Sequence, residues 1–409
     1  MTNSALPAVV IRGWGSASAL GLDFAAPGTT SPFVPAADAR NLPVAALPPA
    51  AEAALEALRR SRPAYRALDR SVLLALLTAR HAVAQAGWLA KTNSATAPLS
   101  EATAAYETAT LAVSIGSSLG ATERLESFHA EYLRTGTAAP AASPLTTLGN
   151  VASWVADDLG GARAAISHSS TCSTALQALG NAVAWLRAGL AQRFVAGGTE
   201  APLTPFTLAQ MQAVGIYSAL PAADWPCRPG AGGPSTFVLG EGAAVFALEA
   251  VPAEALRPGD MVLESVGFGF EATGTKTGLT PDGRHFQQAM RQALHLAGPA
   301  PTDIDLVVLH SPGTRAGDAA ERAALAAVFG ADLPACASNK WLLGHTLGAS
   351  GALSVAWALD LLRRQELPPT LPFTSWINEH PLRQPARRVL VNAAGFGGNA
   401  ACAVVRRVE

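Results

Sequence analysis

A chain of 409 residues is long enough for one large or two medium domains with buried cores. Only 14% of its residues are charged and 49% are apolar, so much surface must be buried, and an extensive subunit interface is one way to do it. The net charge of −1 attracts neither nucleic acid nor an acidic membrane, and no apolar run approaches the ~18 residues of a membrane span.

The N-terminus lacks the charged start and apolar run of a signal peptide. Cys172, Cys227, Cys336 and Cys402 show neither a CxxC pair nor zinc spacing, which fits a reduced, cytoplasmic setting without a metal. Residues 8–11 are a short β-branched run followed by Gly13 and Gly15, a first strand and its turn. Residues 24–48, rich in Pro, Ala and Gly, make a loop. Residues 51–86 are helical with a break near Pro63. Arg59, Arg60, Arg62, Arg66 and Arg70 cluster there, as a solvated face or as a docking patch for an acidic partner. Residues 92–100 form a polar loop, 111–115 a buried strand, 120–135 a helix, 138–145 a loop and 148–159 a helix.

Residues 164–166 end another short strand. Beyond them, small polar residues give way to a helical pattern in which Ala175, Leu176, Leu179, Val183 and Leu186 recur. Cys172 falls at this strand-to-helix turn. Unpaired N–H groups and positive partial charge at a helix N-terminus favour a thiolate, so Cys172 is a candidate nucleophile. The alternative is a small, inert cysteine in a helix–sheet contact. Residues 193–198 form a strand. Residues 199–231 are a long, proline-punctuated loop, which in a compact domain covers or does something. Residues 237–249 read as two strands joined at Gly240-Glu241-Gly242, closing a first half over residues 1–250.

The second half, residues 251–409, repeats the scheme: a strand at 261–270, a Gly-rich loop at 273–284 and a helix at 285–297. A strand at 304–309 ends at His310. A helix at 318–329, a short strand at 335–337 and a long apolar helix at 351–364 follow, with a closing hairpin around GFGGN. Strands alternating with helices, twice over, predict two α/β halves with buried sheets. Three stretches beyond Cys172 hold chemistry: HSPGT at His310, SNKWLLGHTLGASG with Lys340 and His345, and NAAGFGGNA. A cysteine with histidines elsewhere in the chain is a candidate nucleophilic site.

These stretches, in this order, resemble those of the β-ketoacyl-[acyl-carrier-protein] synthases of the thiolase superfamily, the elongating Cys-His-His type. The resemblance covers nearly the whole chain. Cys172 matches the nucleophile and FVLGEGAAVFALE the hairpin that ends the first half. HSPGTRAGDAAE matches the first histidine motif, with Glu321 eleven residues after His310. Lys340 stands five residues ahead of His345, as in the lysine–histidine motif. GFGGN matches the C-terminal glycine loop.

The resemblance implies a thiolase-like fold of two pseudo-repeated α/β halves in five αβαβα layers. It implies a decarboxylative condensation of an acyl group on Cys172 with a malonyl unit, both delivered on an acyl carrier protein, with no metal or organic cofactor. His310 and His345 would stabilise the enolate. Lys340 would pair with Glu321, with Thr314 in support. Phe396, between Gly395 and Gly397, would gate the acyl pocket, and its N–H with that of Cys172 would form an oxyanion hole. Phe206, Met211, Ile216 and Ala394 are candidates for the acyl pocket; Arg59, Arg60, Arg62 and Arg66 are candidates for carrier docking. A homodimer, or a heterodimer with a related subunit, is expected, with residues 194–198 as the paired edge.

Departures qualify this. Ser311 and Pro312 replace the motif's Gly and Thr, Asn399 replaces a Thr, Ala394 stands where many relatives have Phe, and Ser354 stands where some have a Glu that helps to hold a monovalent cation. They favour a polyene or other secondary lipid or polyketide pathway over housekeeping fatty acids. The rivals are a non-catalytic, chain-length-setting partner subunit and a coenzyme A-dependent thiolase.

Overall fold

The computed structural model describes residues 6–24, 28–37, 41–88, 110–274 and 279–409; the polar loop at 92–100 and part of the 273–284 loop lie outside the described residues. Among them, ten strands join in one mixed sheet. Five come from the first half: β1 (Ala8–Ala17), β2 (Leu111–Gly116), β3 (Ala164–Ile166), β4 (Arg193–Glu200) and β5 (Gly242–Val251). They lie in the order β1-β5-β4-β2-β3. The other five are β6 (Met261–Phe270), β7 (Leu306–Val308), β8 (Ala335–Ala337), β9 (Arg388–Gly395) and β10 (Asn399–Arg407), in the order β6-β10-β9-β7-β8. The second order is the first with each strand replaced by its counterpart five strands on. In each set the two inner ladders are antiparallel and the two outer ones parallel. The sets meet where Val10 and Ile11 pair with Val262 and Met261.

The helices of nine residues or more among the described residues are α1 (Pro49–Ser61), α2 (Arg70–Gln85), α3 (Thr122–Thr135), α4 (Asn150–Asp158), α5 (Thr174–Arg187), α6 (Pro205–Ala213), α7 (Arg284–Ala297), α8 (Arg315–Phe329) and α9 (Ser350–Arg364). Helices α5 and α9 touch each other and pack between the two sets of strands. Helices α2 and α4 cover the outer face of the first set; α7 covers that of the second, and α8 packs against α7. The result is five αβαβα layers, the thiolase-like fold. Every residue of α9 from Ser350 to Leu362 is buried, so this helix is core on all sides.

Several local expectations change. Gly13 and Gly15 make no turn; β1 continues through them, with a register shift between Ile11 and Gly13. A side chain at either would press into backbone carbonyls of α2, at Ala82 and Thr78. Gly267 and Gly269 do the same for α7 on β6, so the glycines let helices lie directly on strands. The 138–145 stretch holds a short helix, Ala142–Thr146. The long 199–231 segment contains α6. Its start is capped by Thr204, whose hydroxyl accepts from Thr207 N, with Pro205 in the first turn.

Residues 237–249 are not a hairpin. Only β5 joins the sheet there; residues 237–240 instead pair with the segment carrying His345, through a parallel bridge at Leu239. The expected dimer edge at 194–198 is interior: β4 lies between β5 and β2, and Phe194, Val195 and Ala196 are fully buried. Among the described residues, the outer strand of that half is β3. Helix α3 has no buried residue, and Leu125, Tyr132 and Leu133 on it are half or more exposed.

Candidate functional site

Cys172 sits in the turn between β3 and α5. Thr171 before it has φ of 54°, a left-handed conformation that costs a β-branched residue about 1–2 kcal/mol. Hydrogen bonds hold it there. Its hydroxyl donates to Ser170 O at 2.7 Å, and its carbonyl accepts from Ser118 Oγ at 2.7 Å. Gly395, at the end of β9, lies against this turn; a side chain there would stand 2.6 Å from Cys172 N and overlap Thr171 Oγ1. The backbones of β9 and of the cysteine turn therefore approach as only glycine allows.

The helix N-terminus does not produce a resting thiolate. Burial, with the charge of Glu200 adding to it, pushes the Cys172 thiol up to about 12, and Lys340 and the cysteine's own N–H offset this only in part. Burial likewise raises Cys227, Cys336 and Cys402, which are no more than 4% exposed against 8% for Cys172.

His345 is held by its backbone: its N–H donates to Val238 O at 2.7 Å and its carbonyl accepts from Gly240 N at 3.0 Å. This is why residues 237–240 leave the hairpin. Its Nδ1 accepts from Leu347 N at 2.9 Å. Burial, helped by Lys340, depresses its pKa to about 3, so the ring is neutral and its single proton is on Nε2. His310 lies at the end of β7, its ring 5.1 Å from that of His345 and nearly perpendicular. Burial and the nearby His345 and Lys340 hold it well below the usual range as well.

The expected Lys340–Glu321 pair is not formed. Lys340 Nζ donates to Asn339 Oδ1 at 2.9 Å and Ser354 Oγ at 3.1 Å. Glu321 is saturated elsewhere: it accepts from His310 N, Ser311 N, Ser311 Oγ and Asn392 Nδ2. Its role is to hold the strand end that carries His310. Ser311, a departure from the motif, supplies one of these bonds through its hydroxyl. Burial brings Lys340 down to about 8.

Cys172, His310 and His345 line one cavity of about 540 Å³, counting its open mouth. Of the candidate residues, Met211, Ile216, Ala394, Thr314, Gly395 and Phe396 line it too, and Phe396 is 42% exposed at the edge. Phe237, Leu279, Phe286, Pro312 and Leu347 also line it and were not expected; their apolar character gave no sign distinct from core. Phe206 is not there: it is 60% exposed, in a groove with Leu125 and Leu133 of α3. Gly397 does not line the cavity; it takes a φ of 86° in the turn between β9 and β10. Arg59 is paired with Glu56, and Arg62 with Asp157 and Asp158, while Arg60 and Arg66 are exposed. Glu200 was also missed. It is fully buried behind the cysteine turn, where an apolar strand sequence gave no reason to expect a carboxylate.

Sequence profiles of the β-ketoacyl synthase N-terminal and C-terminal domains match residues 38–253 and 262–374. The chain is 34% identical over 311 residues to a putative polyketide β-ketoacyl synthase 1 of Streptomyces cyaneus, covering 70% of this chain and 73% of the relative. It is 28% identical over 359 residues to the 3-oxoacyl-[acyl-carrier-protein] synthase 2 of Staphylococcus aureus strain COL, covering 84% and 83%. Among solved structures, the ishigamide ketosynthase/chain length factor superposes with a TM-score of 0.84 at 21% identity, covering 99% of this chain and 100% of the other. No helix among the described residues is long and apolar enough to cross a membrane.

Proposed function

Because the chain belongs to the β-ketoacyl synthase family, we propose that it extends an acyl chain on Cys172 with malonyl units delivered by an acyl carrier protein. The observation that carries this is the His345 tautomer. A neutral ring with Nδ1 occupied presents Nε2–H as a donor in the cavity that also holds Cys172.

The sulfur of Cys172 attacks the thioester carbonyl of the first carrier. The acyl group moves to Cys172, and the thiol proton ends on the departing carrier thiol. Malonyl thioester then loses carbon dioxide. The charge of the resulting enolate falls on its oxygen, where His345 and His310 donate hydrogen bonds. The enolate carbon attacks the acyl-Cys172 carbonyl, whose oxyanion the N–H groups of Cys172 and Phe396 receive. Collapse releases the 3-oxoacyl product, and the cysteine sulfur takes a proton from solvent. Lys340 keeps a positive charge beside the histidines, and Glu321 holds the His310 strand end. Halves 1–250 and 251–409 thus each contribute one part of the site.

Ala394 widens the pocket, consistent with a polyene or other secondary lipid or polyketide substrate. Arg60 and Arg66 are the docking residues left exposed for an acidic carrier. Two copies, or this chain and a related subunit, pair through the β3 edge. Intact-mass analysis after incubation with a panel of acyl-carrier thioesters tests the reaction. A mass gain of one acyl group that moves to malonyl carrier as a 3-oxoacyl product is expected. A protein that never gains an acyl group overturns it.

A further inference from the structure

Glu200 ends β4, and Gly395 ends β9. The parallel ladders make the two equivalent. Phe194 and Val389 pair with Ala112 and Leu306, each of which pairs in turn with Ala164 and Ala335 at the sheet edges. Counting six residues on from each gives Glu200 and Gly395. The turns before the central helices correspond too: Thr171 and Leu347 each precede the helix by three residues, and both have positive φ, 54° and 41°. Cys172 is therefore the counterpart of Gly348.

The two ends cross over. Gly395 of the second half faces Cys172 N of the first, leaving space at that N–H. Glu200 of the first half faces Gly348 N of the second and fills the space: Oε2 accepts from Gly348 N at 2.9 Å and from Ser118 N at 2.7 Å. Oε1 accepts from Ser117 Oγ at 2.8 Å and Leu119 N at 3.1 Å. Burial raises the Glu200 pKa, and the four donors on its two oxygens oppose this by favouring the ionised carboxylate, which only accepts. The donors come from two loops. Ser117 and Ser118 brace the cysteine turn, through Ser117 N to His168 O and Ser118 Oγ to Thr171 O. Gly348 follows Leu347, whose N–H fixes His345 Nδ1.

We infer that Glu200 is a positioning residue: it plugs the second-half counterpart of the oxyanion pocket and clasps the loop bracing Cys172 to the loop orienting His345. This rests on the condensation proposed above. Its action runs through His345, so the test is a double-mutant cycle. Malonyl-carrier decarboxylation, which needs no acyl group on Cys172, is measured for wild type, Glu200→Gln, His345→Ala and the double variant. Hydrogen exchange is followed over 117–120 and 345–349.

The expected result is a fall in kcat of roughly 10–100-fold in Glu200→Gln with KM unchanged, as a misplacement of about 1 Å produces. The same change on the His345→Ala background should cost less than about twofold. Exchange should rise in both segments together. Multiplying losses, or unchanged exchange over 345–349, overturns the clasp. Ser117→Ala, which removes one donor, replaces Glu200→Gln if that variant does not fold, with the same non-additive pattern at smaller size. A wild type that does not decarboxylate malonyl carrier refutes the proposed reaction instead, and the exchange measurement alone then decides the clasp.

Discussion

The turn before α5 and the turn before α9 are built alike and do different work. Each follows a short edge-side strand, each holds one left-handed non-glycine residue, and each feeds a buried central helix. The first offers a thiol at the position after the strained residue; the second has Gly348 there and carries its chemistry two residues before the strain, at His345. The strand ends opposite them differ in the reverse sense. Glycine faces the cysteine turn, so an oxyanion has room, while a carboxylate closes the other. In the proposed mechanism, one backbone design used twice serves as a nucleophile corner and a proton-donor corner by exchanging a few side chains.

The largest expected effect breaks the first corner. Cys172→Ala should abolish acyl transfer to the protein, and Gly395→Ala should slow it by roughly 10²–10³, because a methyl group 2.6 Å from Cys172 N occupies the oxyanion position. Intact mass against time reads both; normal loading of Gly395→Ala would remove the backbone of this loop from the mechanism. Breaking the second corner should separate the half-reactions. His345→Ala should lose roughly 10²–10³ in malonyl decarboxylation while Cys172 still loads, as measured by carbon dioxide release beside acylation. Equal loss in both would mean the corners are not specialised.

The pH dependence sharpens the contrast. His310 and His345 are depressed, His345 to about 3, so no limb near pH 6.5 is expected in decarboxylation. Lys340, lowered to about 8, is protonated below that pH and loses its charge above it, so the rate should fall on the alkaline side near pH 8. Ser354→Glu, placing a carboxylate beside Nζ, should move that limb to higher pH. An unmoved limb would assign it to another group. The smallest effect concerns the pocket they share. Ala394→Phe should narrow the range of acyl chains loaded on Cys172, and identical chain-length profiles of the two proteins would leave Ala394 without a part in selectivity.

Most of the site could be read from the chain because its parts are local. Cys172, His310, Lys340 and His345 stand in short motifs at the mouths of elements whose periodicity is visible. Phe206 and Met211 show where that stops. Five residues apart in one helix, one faces a surface groove and the other the cavity, and only packing chooses. The resemblance implies a Lys340–Glu321 pair, yet Glu321 is saturated by four donors of the His310 loop and its surroundings, and Lys340 turns to neutral oxygens.

By itself the sequence determined the alternation of strands and helices, the internal repeat and the candidate reacting side chains, since these depend on near neighbours and on residue chemistry. Tertiary structure decided the rest. It sent residues 237–240 away from a hairpin to hold His345, buried the segment expected at the dimer edge, and left β3 as the outer strand of that half among the described residues. It also set the protonation of the site: burial overrides the helix N-terminus at Cys172 and keeps both histidines neutral, because the cost of an isolated charge depends on what surrounds it in space. Glu200 belongs wholly to this second class, since its four donors come from two loops more than two hundred residues apart.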